Sequence, residues 1–176
     1  EQGIPPELFS LDESAFDMQL KVSNHLGINA TPKKLGQLRN IIFSIVEKHE
    51  LLAAQTTKMF PKIPETLRTL KEMDLNLALC TISGKEASAH ILNQFNIKQF
   101  FDVIVPRESV TAVKPDPVHL QAVLDALNID SNETIFVGDS IKDILCANQL
   151  NVLAVGVTTG LSSKTQLISS GAHYVA

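Results

Sequence analysis

Apolar residues recur at three- and four-residue intervals from Leu35 to Val46, through Leu38, Ile41, Ile42 and Ile45, which predicts an amphipathic helix. Thr31-Pro32 in front of it supply a capping residue and a first-turn proline. The pattern changes after Phe60. Pro61 and Pro64 interrupt it, and Pro64 opens a second predicted helix that runs to Met73. From there short apolar runs alternate with helical stretches. Strands are predicted at 75–81, 101–105, 134–137 and 152–155, with a last edge strand at 174–175. Helices are predicted between them at 84–95, 117–127, 141–149 and 164–170, the last closed by Gly171. Strands separated by helices of this length build a parallel sheet covered on both faces. The expected fold is therefore α/β, with a doubly wound, Rossmann-like core over 61–176. Residues 1–60 form an N-terminal segment and a small helical module.

Composition narrows the partners. Of 176 residues 44% are hydrophobic and 19% charged, enough apolar material for a sizeable core. The net charge of −4, with basic residues scattered along the chain, argues against nucleic acid, which calls for clustered Lys and Arg. No apolar run reaches the length of a membrane span. Cys80 and Cys146 sit in apolar segments without metal-type spacing, as reduced buried thiols do. A cytoplasmic protein with no membrane partner is expected. His25, His49, His90, His119 and His173 show no ligand spacing and are read as structural or exposed. The sequence leaves the oligomeric state open, a homodimer included.

Ligands of doubly wound sheets bind beyond the carboxyl ends of the strands, so the polar residues there carry the information. Thr81, Ile82, Ser83 and Gly84 follow the first strand and precede a helix, a setting suited to phosphate. The same residues also read as a plain helix start with Ser83 as its cap. Past the second strand, Lys114 stands before Pro115, either aimed at the sheet edge or solvated in a turn. Asp139 and Asp143, four residues apart in FVGDSIKDI, can turn two carboxylates to one side of a helix start, as Mg²⁺ requires. Ser140-x-x-Asp143 equally resembles a capping box. The loop GVTTG beyond the fourth strand borders the same end of the sheet or is a simple connection. A hydroxyl, a lysine and an acidic pair at successive strand ends together point to one functional site.

These segments, LALCTIS, VKPDP, VGDSIKDI and the tail GVTTGLSSKTQLISSGAHYV, resemble the haloacid dehalogenase superfamily, in particular its phosphoglycolate phosphatase-like branch with a helical cap. The resemblance covers residues 17–176 and departs from the family where Ile82 replaces a frequent Asn. It implies a Mg²⁺-dependent phosphatase acting on a small phosphorylated metabolite through an aspartyl-phosphate. By the same resemblance Thr81, with Ile82 and Ser83, would bind the phosphoryl oxygens and Lys114 would neutralise phosphoryl and nucleophile charge. Asp139 would ligate Mg²⁺, and Asp143 would hold it directly or through water. The helical cap would choose the substrate, with Lys33, Lys34, Arg39 and Lys58 within its reach or simply solvated.

The family's opening strand and its Asp-x-Asp motif are not found. The nearest match is Phe9-Ser10-Leu11-Asp12-Glu13-Ser14, in which Ser10 would stand for the nucleophile and Asp12 for the acid/base, with Asp17 beyond. That version would make a catalytically silent binding or regulatory protein. Pro5-Pro6 disfavour a central strand there, and Glu13 brings negative charge to a phosphate turn. The expectation is a nucleophilic Asp on a strand outside these residues, between 75–81 and 134–137. Without it, two strand edges face each other unpaired. An unrelated nucleotide-binding α/β domain is disfavoured, because neither GxGxxG nor GxxxxGK[ST] occurs.

Overall fold

The structure, a computed structural model, describes residues 32–176 together with Pro5, Glu7, Met18, Lys21, Val22, Asn24 and His25. Ser10, Asp12, Glu13 and Asp17 lie outside the described residues, as do the side chains of Lys34 and Arg39. Two compact units divide the chain, Glu1–Thr57 and Lys58–Ala176. The first holds α1, Pro32–Thr56, which runs ten residues past the predicted end at Val46. Glu47-Lys48-His49-Glu50 interrupt the apolar pattern but are adequate helix formers, and Leu51 to Ala54 continue the helix. Lys33 and Lys58 are exposed.

The second unit alternates strand and helix in the order α2 (Ile63–Glu72), β1 (Ala78–Cys80), α3 (Lys85–Gln94), β2 (Val103–Val105) and α4 (Val118–Leu127). Then follow β3 (Ile135–Gly138), α5 (Ile141–Gln149), β4 (Leu153–Gly156), α6 (Lys164–Ser169) and β5 (Tyr174–Val175). Pro64 stands in the first turn of α2, where its missing N–H leaves no partner wanting. Ser140 and Ser163 open α5 and α6 with complete capping boxes, closed by Asp143 and Gln166. Just beyond each of these five helices a residue adopts positive φ: Asp74, Asn96, Asn128, Asn151 and Gly171. Asn, Asp and Gly tolerate that conformation best, so it ends each helix and turns the chain back to the sheet.

All pairing among the described strands is parallel, in two separate sheets. β1 lies on β2 with Cys80 opposite Val105, and β3–β4–β5 form the other, with Gly138 opposite Gly156. Among the described residues no strand joins β1 to β3. Both instead line a groove of about 600 Å³, floored by Leu120, Val123 and Leu124 of α4. Beside this groove Ile135 and Val137, on one side of β3, are 64% and 57% exposed. β1 is also shorter than the predicted 75–81, because its pairing with β2 spans only Ala78–Cys80 against Val103–Val105. The core lies where α4 and α5 meet the sheets, with Leu120, Ile144, Cys146, Ala147, Val152 and Ala154 buried. No described helix is long and apolar enough to cross a membrane.

Candidate active site

Lys114 sits in the loop between β2 and α4, and its side chain is only 11% exposed. The amine donates to the Cys80 carbonyl at 2.8 Å, at the end of β1, and pairs with Asp143 Oδ1 at 2.6 Å, in the first turn of α5. It also stands 5.4 Å from the centre of the Phe136 ring, an attractive cation–π position. The solvated-lysine reading is thus wrong for this fold. Burying an ammonium demands compensation, and a carbonyl, a carboxylate and a ring face provide it.

Asp143 closes the capping box and also faces the lysine. Its Oδ2 accepts from the Ser140 amide at 3.0 Å and the Ser140 hydroxyl at 2.6 Å, which is the capping box, while Oδ1 takes the lysine. Asp139 is held differently. Its Oδ2 accepts from the Leu161 amide at 3.1 Å, and its backbone carbonyl accepts from Ser162 N–H at 3.1 Å. Among the described residues nothing pairs with Asp139 Oδ1. Leu161 and Ser162, just past the GVTTG loop, thus hold Asp139 in place.

Two glycines make room for these acids. A Cβ on Gly138 would strike the Asp143 side chain, and one on Gly160 would fall on the Asp139 carboxylate. Sequence reading gave Gly138 only a strand end and Gly160 only a loop. The reason for glycine here is close approach rather than turn geometry.

Thr81 and Ser83 also come to this end of β1. Thr81 N–H donates to Val105 O at 3.1 Å, extending the ladder with β2, and Thr81 Oγ1 accepts from Ser83 N–H at 3.1 Å. Ser83 does not cap α3, whose N-cap is Gly84 with no side-chain bond. Ile82 is exposed, and its carbonyl accepts from Arg107 at 3.1 Å. Arg107, buried just past β2, also donates its backbone N–H to Ser83 O at 3.3 Å. Neighbouring Glu108 accepts from the Lys85 amide at 2.9 Å, at the start of α3. This pair clamps the 81–84 loop, a role the sequence did not signal because Arg107-Glu108 belongs to no recognisable pattern. Arg107→Met should lower stability by about 1.5–3 kcal/mol, the worth of hydrogen bonds to a charged group. Urea unfolding of the full-length protein measures it.

His119, fully buried at 0%, lies in the first turn of α4. Burial lowers its pKa, and the nearby Lys114 charge acts the same way, against the hydrogen bond to Val105, which raises it. Burial pushes the Cys80 thiol up to about 12, away from the thiolate form. Cys146 is buried and raised for the same reason.

As a cation site, the arrangement offers hard oxygen donors of the right kind. Asp139 presents one uncommitted carboxylate oxygen, and Asp143 is already shared between Ser140 and Lys114. No cluster of three or more His, Cys, Asp or Glu occurs among the described residues. Mg²⁺ asks for less, commonly one or two protein carboxylates with water and substrate oxygens, so the residues present fit it.

Comparison with known proteins bears on the family and the fold. The family model for haloacid dehalogenase-like hydrolases matches residues 14–157. A phosphoglycolate phosphatase of Neisseria meningitidis serogroup A is 32% identical over 111 residues, 63% of this chain and 47% of that protein. The pyrophosphatase PpaX of Halalkalibacterium halodurans is 42% identical over 81 residues, 46% of this chain and 38% of its own. The chain thus spans about half the length or less of these curated relatives. Among solved structures, a haloacid dehalogenase-like hydrolase from Bacteroides fragilis superposes with a TM-score of 0.73 at 22% identity, covering 99% of this chain and 80% of that one. That likeness speaks for the fold. With the family model matching well over half of its residues, the chain belongs to the haloacid dehalogenase-like hydrolases.

Proposed function

We propose that this chain carries most of the core of a Mg²⁺-dependent phosphatase that hydrolyses a small phosphate monoester through an aspartyl-phosphate. The observation that carries the reading is the placement of the Lys114 amine. It lies between the end of β1, where Thr81 follows, and Asp143, four residues after Asp139. Phosphoryl transfer depends mainly on positioning and on balancing charge over three equatorial oxygens. Lys114 has a third N–H beyond those given to Cys80 and Asp143, and it would donate that to the phosphoryl group. Thr81, whose Oγ1 already accepts from Ser83, retains its hydroxyl proton for a phosphoryl oxygen. Asp139 would ligate Mg²⁺ directly, and Asp143 through water. The cation supplies charge neutralisation of the bound phosphate.

The nucleophilic aspartate would come from a strand seated in the groove between β1 and β3, outside the described residues. Its support is physical. Among the described residues the facing edges of β1 and β3, and the exposed Ile135 and Val137, lack the cover that the interior of a parallel sheet requires. The names of the relatives favour phosphoglycolate or a similarly small phosphate. Pyrophosphate is the neighbouring choice, by the second relative.

The deciding experiment is p-nitrophenyl phosphate hydrolysis by the full-length protein, with Mg²⁺ and with EDTA. Turnover that EDTA abolishes and Mg²⁺ restores is expected. Rates untouched by EDTA contradict the metal role, and no turnover in Mg²⁺ returns the protein to a silent, phosphate-binding relative.

A further inference from the structure

Four hydrogen bonds and one peptide link close a ring through the interior of the second unit. Thr81 N–H donates to Val105 O at 3.1 Å. The same carbonyl faces His119 Nε2 at 3.1 Å, and Lys114 N–H meets His119 Nδ1 at 3.4 Å. The Lys114 amine then donates to the Cys80 carbonyl at 2.8 Å, and Cys80 is bonded to Thr81. The ring thus runs from Thr81 through Val105, His119 and Lys114 back to Cys80.

We infer that His119 is a positioning residue of the phosphate site, setting the distance between the Thr81 hydroxyl and the Lys114 amine. The inference rests on the reading of Thr81 and Lys114 given above. Its partners decide the form of the imidazole. A carbonyl can only accept, so Nε2 bears the proton, and a backbone N–H can only donate, so Nδ1 is bare. The neutral Nε2–H tautomer alone satisfies both. It is wholly enclosed, so water cannot replace either bond. Val105 is the common anchor. Its carbonyl registers β1 against β2 on one side and, through the ring, the loop that launches Lys114 on the other. Without His119 the Lys114 backbone has no tie to β2 through this carbonyl, and the amine must find Cys80 and Asp143 from a looser base. Small misplacements at such sites cost as much as about 100-fold in rate.

The test uses full-length protein with p-nitrophenyl phosphate and Mg²⁺. His119→Phe keeps the buried volume and removes both bonds. A fall in kcat of at least about tenfold with KM changed far less is expected. His119→Asn, whose amide oxygen can stand where Nδ1 accepts, should recover part of that loss, and more than His119→Gln, which reaches toward Val105 instead. In a Lys114→Met background His119→Phe should lower kcat no further, whereas a purely structural role would still lower it. Nitrogen-15 spectra of the imidazole in the unaltered protein should show Nε2 protonated and Nδ1 bare at neutral pH. This readout stands even where a variant fails to fold. A normal kcat in His119→Phe with Lys114→Met inactive overturns the inference and leaves the site reading intact. A normal rate in Lys114→Met overturns both, and an Nδ1–H tautomer or an imidazolium overturns the positioning role alone.

Discussion

Replacing Lys114 by methionine should lower the phosphatase rate by at least about two orders of magnitude, the loss usual for removing one electrostatic stabiliser from a preorganised site. The structure adds a second consequence. Asp143 is buried and keeps its two bonds from Ser140, but its Oδ1 loses the ammonium. An uncompensated buried carboxylate costs about 3 kcal/mol or more, so the variant should also unfold at lower urea. The two effects separate cleanly. Lys114→Met with Asp143→Asn removes both charges and should regain stability while staying inactive. Recovery of activity in the double variant would assign the lysine to structure alone. A single variant with a near-normal rate would remove it from the site.

Gly160→Ala should weaken Mg²⁺ binding and slow turnover through the same carboxylate that Asp139→Ala removes. The added Cβ would occupy the space of the Asp139 carboxylate, which must then leave its bond to the Leu161 amide. That bond holds Asp139 Oδ2 and leaves Oδ1 for the cation, and disturbing such supporting contacts lowers metal affinity by about 10–100-fold. Asp139→Ala removes the ligand itself and should cost at least about 100-fold in rate. The double variant should be no slower than Asp139→Ala, because both act through one carboxylate. Calorimetric Mg²⁺ titration gives a readout free of turnover, and both single variants should bind the cation more weakly. Additive losses in rate would give Gly160 a role separate from Asp139. Unchanged Mg²⁺ affinity in Asp139→Ala would take that residue out of the metal site.

Where the local signal was strong, sequence and structure coincide. α5 and α6 begin where Ser140 and Ser163 cap them, and α2 starts at Ile63, one residue before Pro64. Boundaries shifted where the determinant is not local. β1 contracts to three residues because a strand lasts only as long as its partner, and no neighbouring residue states how long that is. α1 outran its apolar stripe because intrinsic preference carried it through a charged interval. The residues beyond the helix ends were legible in principle. Asn96, Asn128 and Asn151 are, like Gly171, of the type that accepts positive φ.

The candidate site divides along the same line. Its chemical types and their order at successive strand ends, Thr81, then Lys114, then Asp139 and Asp143, follow from periodicity and spacing alone, because alternating strands and helices bring all strand ends to one side. Side-chain pairing does not follow. The lysine could have been a surface residue, and Asp143 a mere cap, until folding set Cys80 and Asp143 around one amine. His119 and Arg107 carry no local mark at all, for their partners lie on other strands and loops: Val105 for the imidazole, Ile82 for the guanidinium. Gly138 and Gly160 were visible as residues but not as spaces, since the carboxylates they admit arrive from elsewhere in the fold. One-dimensional pattern reports what each segment is able to do. Which groups must share a charge, a carbonyl or a gap is decided by long-range packing, where burial removes water as the alternative partner.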